Sequence, residues 1–496
     1  MWLKSFFDGH TPKSRPLYLY NTLGKAKQLF TLPKRIENSL SPTTVRMYNC
    51  GPTVYDVQHI GNLSMFVFAD VLRRVLLYNN FKVKQVINIT DVGHLTSDGD
   101  YGDDKMAKGL KREGKKLTLD NMRELGEKYT EIFLNDIRLL NIDAAHIIFP
   151  RASAYIPAQI AMIATLEEKG YAYTAKSGVY FDTSRFPSYG ALGEINLENI
   201  KEGARIAKSS DKRNPTDFLL WKLDAKLGWE SPWGKGFPGW HIECSAMIRA
   251  TLGKQIDIHT GGIEHVAVHH NNEIAQSEVV TGKHPLSRFW MHRAHIQLEN
   301  SKIAKSLGNV VYLSDIMSRN IHPLALRYLF LGAHYRTPSN FSWEALLASE
   351  TAFLRLRLLA DTLPLGGRSP LKYQARIHER LNDDLDVPGA LAVVWEMIND
   401  KKLAPQDIRA GLADADTVLG LDLDAEDARA KEACLKRFGK RISIEELPQT
   451  VKEKVNARAT AREKRDWQSA DLLRNELAEE GYVLEDTETG AIIYKK

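Results

Sequence analysis

The sequence predicts an α/β protein: a parallel-sheet core, interrupted by an insertion and followed by a helical region. Three observations predict it. Arg46–Asn49 reads as the end of a strand, Gly51 and Pro52 break it, and apolar residues then recur at helical spacing through Leu63, Val67, Val71, Val75 and Tyr78. Val83–Thr90 follows as a buried strand ending at Asp91, which completes an αβ unit of the kind that binds ligands at the carboxyl ends of its strands. Beyond Asn309 the pattern is almost wholly helical.

Taken in order, Met1–Arg15 reads as a disordered extension. It holds only short apolar groups and Asp8, which excludes a signal peptide. Asp98, Asp100, Asp103 and Asp104 crowd a glycine-rich loop. A calcium loop would need a bidentate Glu where Gly109 stands, so the stretch reads as a solvated acidic loop. Leu117–Leu140 and Ser153–Lys169 are amphipathic helices. Ala172–Thr183 reads as strands around a Ser177-Gly178 turn, and basic segments run on to Asn214-Pro215, as an inserted domain would. Gly234–Gly239 matches the pattern GxGxxG, but it follows the turn Ser231-Pro232-Trp233 and contains a proline, so it is rejected as a dinucleotide fingerprint. No Gly-Lys pair is followed by Ser or Thr, which rules out a P-loop. Leu324–Leu331 and Trp343–Leu363 are strong helices. Ala375–Asn399, broken near Pro388, and Pro405–Leu419, stopped by Gly420, suggest a small bundle. Val451–Glu480 reads as helical and basic at its start, with Lys452, Lys454, Arg458, Arg462, Lys464 and Arg465; Tyr482–Tyr494 reads as a hairpin turning near Gly490.

The bulk properties bound the answer. A chain of 496 residues with 43% hydrophobic content predicts roughly three soluble domains. The net charge of +5 permits a nucleic-acid partner without demanding one. Three cysteines, Cys50, Cys244 and Cys434, argue against a disulfide framework and for a reducing, cytoplasmic setting. No stretch approaches the ~20 apolar residues of a membrane span.

Two stretches carry nucleotide chemistry. His59 and Gly61 fall at a helix N-terminus, where free N–H groups and the helix dipole favour a phosphate. Gly61 lacks a Cβ, which lets a ligand approach the backbone. Far downstream, Lys302 and Lys305 flank Ile303-Ala304 and precede Ser306 and Gly308, a composition suited to a mobile loop closing on a polyphosphate. A third constellation is of metal-binding types: Cys50, Cys244, His269 and Glu273, with the last two four apart on one helical face. No CxxC pair exists, and His241, Glu243, His259, Glu264, His265 and His270 are further candidate ligands, so spacing alone leaves the choice open.

The first two stretches, in this order, resemble the HIGH and KMSKS signatures of class I aminoacyl-tRNA synthetases. Tyr48-Asn49-Cys50-Gly51, Asn88-Ile89-Thr90-Asp91, Gly239-Trp240-His241-Ile242-Glu243-Cys244-Ser245 and His269-His270-Asn271-Asn272-Glu273 resemble the cysteinyl-tRNA synthetase branch, from about Leu17 to the C-terminus. The resemblance implies a Rossmann-like catalytic core in two halves, 17–146 and 236–295, after an extension at 1–16. It implies an inserted acceptor-end domain at 147–235, a lysine-loop and stem-contact region at 296–368, a helical bundle at 369–445 and an anticodon-side domain at 446–496.

It also implies one Zn2+ on Cys50, Cys244, His269 and Glu273, and Mg2+ accompanying ATP. His59, Lys302 and Lys305 would act in catalysis. Gly61, Asn62 and Ser306 would join them in binding ATP, and Gly51, Thr90 and Trp240 would shape the cysteine pocket. The implied reaction activates L-cysteine with ATP and passes it from the adenylate to tRNA(Cys), the enzyme acting as a monomer. Zinc suits the task. An apolar pocket separates cysteine from serine by only ~1–3 kcal/mol, whereas a soft thiolate binds zinc well and a neutral hydroxyl poorly.

Three departures stand out: Asn62 in place of the signature's second histidine, Ile303-Ala304 in place of Met-Ser, and Glu264–Val268 in the pocket wall. The rival readings are a mycothiol-type cysteine ligase, which lacks a tRNA-reading tail, and a non-catalytic RNA-binding paralogue. The helices from Ala375 to Leu419 and the basic stretch Lys452–Arg465 contribute no crevice residue, so removing Leu371–Lys496 is expected to spare amino-acid activation, provided the core still folds, and to weaken transfer to tRNA sharply.

Overall fold

In the computed structural model, residues 15–33, 44–92, 105–193, 211–298, 301–302, 310–487 and 490–496 are described. The predicted acidic loop, Lys305 and Ser306 lie outside them. A hairpin, β1 (Tyr18–Asn21) and β2 (Ala26–Leu29), leads to β3 (Thr44–Asn49), α1 (Ile60–Tyr78) and β4 (Lys82–Ile87). After α2 (Lys105–Arg112) and α3 (Leu119–Leu139) comes the short β5 (Ile147–Ile148), then α4 (Ile156–Glu168). β6 (Ala172–Ala175), β7 (Gly178–Phe181), β8 (Phe218–Leu223) and β9 (Gly236–Pro238) form an antiparallel sheet of their own. The core resumes with α5 (Trp240–Thr251), β10 (Ile256–Gly262), α6 (His269–Thr281) and β11 (Ser287–Arg293). All pairs of the central five-stranded sheet, order β11-β10-β3-β4-β5, are parallel, as the alternating αβ pattern requires.

The helix α1 starts where the sequence says it should. His59 is its N-cap, accepting the Asn62 N–H, and the predicted stripe Leu63, Val67, Val71 and Val75 is buried against the sheet. Beyond the sheet, β12 (Ile296–Leu298) pairs with β13 (Ser301–Lys302) and with β14 (Ser339–Phe341), on either side of α7 (Leu313–Ser318) and α8 (Pro323–Leu331). Then come α9 (Trp343–Thr362), α10 (Leu371–Asn382), α11 (Val387–Ile398), α12 (Pro405–Leu419) and α13 (Ala428–Phe438). Gly420 ends α12 in the left-handed region at φ 63°, as predicted. β15 (Lys440–Ile442), α14 (Gln449–Glu463), α15 (Trp467–Glu479), β16 (Tyr482–Thr487) and β17 (Gly490–Lys495) close the chain as a small module with its own apolar core.

Four expectations need correction. The insertion does not stop at residue 235: Gly236–Pro238 is an edge strand on β8, so the rejected glycine pattern lies partly in a strand and its last glycine, Gly239, caps α5, but that strand is antiparallel and lies outside the central parallel sheet. Val451–Glu480 is not one helix. Arg465, at φ 60°, turns the chain back, and Lys454 of α14 then pairs with Glu476 and Glu480 of α15 at 2.8 and 2.7 Å. The C-terminal module begins before residue 446, because β15 pairs with β17.

The fourth concerns the tail. The helical bundle is not a separable appendage. Tyr373, Ile377, Leu391, Leu412 and Val418 belong to the same continuous apolar cluster as Leu63, Val67 and Leu326. The fully buried guanidinium of Arg327 donates to Asp70 of α1 at 2.6 Å, to the Leu140 carbonyl at 2.9 Å and to the Leu419 carbonyl at 2.7 Å. Removing everything from Leu371 would strip one wall from α1 and leave this buried cation underbonded, so loss of the fold itself is the expected result.

Candidate active site

The carboxyl ends of β3 and β10 and the N-terminal turns of α5 and α6 converge on one buried cluster. Cys50 follows β3, its N–H bonded to the Thr260 carbonyl at 3.0 Å. Cys244 lies one turn into α5, while His269 and Glu273 stand one turn apart on α6. Their four candidate ligand atoms lie within 4.8 Å of one another, and all four residues are buried. Glu273 accepts from His269 Nε2 at 2.8 Å through Oε1 and from His259 Nε2 at 2.8 Å through Oε2. The other nitrogen of His269 meets His241 Nδ1 at 2.9 Å. A second grouping, Cys50, His259, His270 and Glu273, shares two members with the first; His270 in turn bonds His292, and His292 bonds Thr22. The chain thus brings the predicted quartet together and wraps it in imidazoles.

The electrostatics follow from this packing. Burial raises the Cys50 thiol well above its usual range. Cys244 goes the other way, to about 6, because the Cys50 thiol donates to it. Burial works against both charges of the His269–Glu273 pair, yet His259 and His269 hold the Glu273 carboxyl down to about 2, and Glu273 lifts His269 to about 10. Desolvation holds His241, His265 and His270 well below the usual histidine range, so they stay neutral. Two sulfurs, one imidazole and one carboxylate at a single point, with Cys244 and Glu273 already favouring their anions, make a site for a divalent cation of borderline softness.

The predicted pocket residues are distributed around this cluster. Half-buried Trp240 opens α5 and lies over His269, ring centroids 4.3 Å apart, with the Lys105 ammonium 5.4 Å from its centroid. Thr90 is buried, and its hydroxyl donates to Glu243 at 3.1 Å. Gly51 is required by contact rather than by torsion: a Cβ there would sit 1.6 Å from the Asn88 carbonyl oxygen. Gly61 makes room for the His59 ring, whose atoms would lie 3.0 Å from an added Cβ. The cap bond uses His59 Nδ1, which leaves its proton on Nε2.

Two distant stretches meet here as well. Ile60 N–H bonds the Val311 carbonyl at 2.9 Å, and His59 forms a β-bridge with Tyr312, so Val311 and Tyr312, which follow the lysine stretch in the chain, are seated on the start of α1. Lys302 closes β13, at the entrance to that stretch. The sequence reading left His259 among several candidates. Its signal was a lone histidine in a buried strand, Ile256–Gly262, whose carboxyl end reaches the crevice.

Comparisons with known proteins agree with this geometry. The family description "tRNA synthetases class I (C) catalytic domain" matches residues 36–351, and "Cysteinyl-tRNA ligase anticodon binding domain" matches residues 445–491. A cysteine–tRNA ligase of Burkholderia lata is 42% identical over 485 residues, covering 97% of each chain. One from Treponema denticola is 39% identical over 511 residues, covering 97% of this chain and 99% of the relative. The chain belongs to the cysteine–tRNA ligase family. It is therefore an aminoacyl-tRNA synthetase of the class I fold, an enzyme of tRNA, ATP and an amino acid. The fold alone is echoed by the methionyl-tRNA synthetase of Mycobacterium tuberculosis, at TM-score 0.53 and 13% identity over 79% of this chain and 96% of that one. Within the ligase family, the four candidate metal ligands, Trp240, Thr90 and His59 all lie inside the matched catalytic segment, and β16 with the whole α14–α15 hairpin lies inside the anticodon-binding match. A tail of that kind sets aside the mycothiol-type alternative. Among the described residues, no helix is long and apolar enough to cross a membrane.

Proposed function

We propose that this cysteine–tRNA ligase selects L-cysteine through one Zn2+ held by Cys50, Cys244, His269 and Glu273. The observation that carries the proposal is the convergence of these four buried donor atoms within 4.8 Å, beneath an aromatic wall. Zinc bound there would supply a Lewis acid that suits the substrate's soft thiolate far better than the neutral hydroxyl of serine.

The chain's own residues do the rest. His259 and His241 hold Glu273 and His269 in orientation, the usual work of groups behind a metal's ligands. Trp240 closes the side of the pocket and excludes water from it. Gly51 and Thr90 keep the floor of the pocket tight. The Nε2–H of His59 and the start of α1 at Gly61 and Asn62 favour the phosphates of ATP, with which Mg2+ travels. Lys302, Lys305 and Ser306 neutralise charge on the departing pyrophosphate. No step requires a covalent enzyme nucleophile, so placement and electrostatics carry catalysis.

In the C-terminal module Lys454 and the buried Arg458 are engaged internally. That leaves exposed Lys464 and Arg465, with Arg462 over Trp467, to meet tRNA(Cys). The free cysteines fit a reducing, cytoplasmic setting.

The test is cysteine-dependent ATP–pyrophosphate exchange on the full-length protein, paired with the same assay after deletion of Lys440–Lys496 alone. Exchange is expected to persist in the shortened protein while charging of tRNA(Cys) falls sharply. Absence of cysteine-dependent exchange in the full chain would sink the reading.

A further inference from the structure

The two candidate sulfur ligands sit on different elements, and something must hold the gap between them. Cys50 leaves the sheet at the end of β3, while Cys244 rides on α5. A continuous chain of buried polar contacts runs between the two. Asn88 Oδ1 accepts the Gly51 N–H at 2.8 Å, and Asn88 Nδ2 donates to the Thr90 hydroxyl at 3.2 Å. Thr90 Oγ1 donates to Glu243 Oε2 at 3.1 Å, and Glu243 is the residue before Cys244. Asn88, Thr90 and Glu243 are 2%, 2% and 0% exposed, so water does not compete for these bonds. At the sheet end the fit is tight, with no space for a Cβ at Gly51. At the helix end Glu243 also keeps Oε1 buried without a hydrogen-bond partner, so its carboxyl group is held by Thr90 alone among the described residues.

We infer that the chain Gly51–Asn88–Thr90–Glu243 is a positioning device for the metal: it locks the backbone carrying Cys50 to the helix turn carrying Cys244, and so sets the separation of the two sulfurs. This rests on the zinc assignment above. Tetrahedral zinc takes each sulfur at about 2.3 Å, so a thiolate pair whose backbones drift apart binds it poorly. On this account Glu243 neither ligates metal nor touches substrate, and Thr90 acts on the cysteine pocket mainly through Glu243. Ligand-orienting groups of this kind are worth roughly 10–100-fold in metal affinity.

The test uses the full-length protein stripped of metal and titrated with Co(II), read by its thiolate-to-cobalt absorption band and by chelator competition. Thr90→Val removes the central hydroxyl at nearly constant volume, and Glu243→Leu removes the terminal acceptor. Each should weaken Co(II) binding about 10–100-fold and alter the band. Glu243→Gln keeps an oxygen for Thr90 and should bind within about threefold of the parent. If Glu243→Leu does not fold, Thr90→Val and Glu243→Gln still decide the matter. A Thr90→Val protein with the parent's affinity and spectrum overturns the inference, as does a Glu243→Gln protein that has lost affinity. A parent without any thiolate band overturns the metal assignment instead, and the inference with it.

Discussion

Glu273 and Asp384 are both buried carboxylates at the meeting point of several elements, and they are satisfied in opposite ways. Asp384 accepts from the Tyr20 N–H at 2.7 Å, the Tyr335 hydroxyl at 2.7 Å and the Arg336 guanidinium at 2.7 and 2.8 Å. Every one of those donors keeps its proton at neutral pH, and His334 Nε2, 3.7 Å from the carboxylate, bonds the Asp384 carbonyl at 2.9 Å instead, so the knot is closed without it. It ties β1, the segment before β14 and the α10–α11 turn into one body. Glu273 accepts from His259 and His269 at 2.8 Å and from the Cys50 thiol at 3.9 Å, with Cys244 in the same cluster. Imidazoles and thiols give up protons and take up metal, so this knot is of a kind that can exchange its protons for a cation. A buried charge matched by permanent donors marks architecture; one matched by exchangeable donors marks chemistry.

The largest effect should come from the open knot. Cys244→Ser is expected to take the protein from one zinc per chain to almost none, and discrimination against serine should fall with it. Metal analysis of the double variant Cys50→Ser, Cys244→Ser provides the check: a full complement of zinc there would move the site elsewhere. Fold stability should change far less than metal content.

The closed knot should behave in reverse. Asp384→Ala leaves a guanidinium, a hydroxyl and an N–H without their acceptor and places alanine at φ 60°, a region it enters reluctantly. Arg336 can turn partly to water, so the cost belongs at the low end for a broken buried pair, about 3 kcal/mol. Thermal unfolding would register it as a lower Tm, with zinc per chain unchanged. A variant that kept its Tm but lost metal would erase the distinction drawn here.

Asp136 sharpens the contrast from a third side. It is buried in the last turn of α3, where the helix dipole already disfavours negative charge, and desolvation raises its carboxyl to about 6. The folded state therefore holds this proton more tightly than the unfolded chain does. The group's contribution is fully present below about pH 4 and is lost as pH rises through 6. Asp136→Asn should stabilise the protein by up to about 2 kcal/mol at pH 8 and by almost nothing at pH 4. Unfolding curves at the two pH values measure the difference. Equal shifts at both would mean that the carboxyl is not held neutral by burial.

The amino-acid sequence by itself determined what local chemistry can determine. The start of α1, the long helix after Lys116 and the stop at Gly420 were all legible, because caps, periodicity and breakers act within a few residues. So was the i, i+4 pairing of His269 and Glu273, and the resemblance supplied Cys50 and Cys244. Only the tertiary structure decided which of the neighbouring histidines serve Glu273, since His259 reaches it from another element. It alone revealed Asp384, whose partner Tyr20 is 364 residues away. It also broke Val451–Glu480 into a hairpin at Arg465, turning Lys454 and Arg458 inward, and fused the helical bundle to the catalytic core through Arg327. The reason is common to all four. Sequence patterns report which residues wish to be buried or capped, whereas the choice of partner for a buried charge is made by packing between segments far apart in the chain.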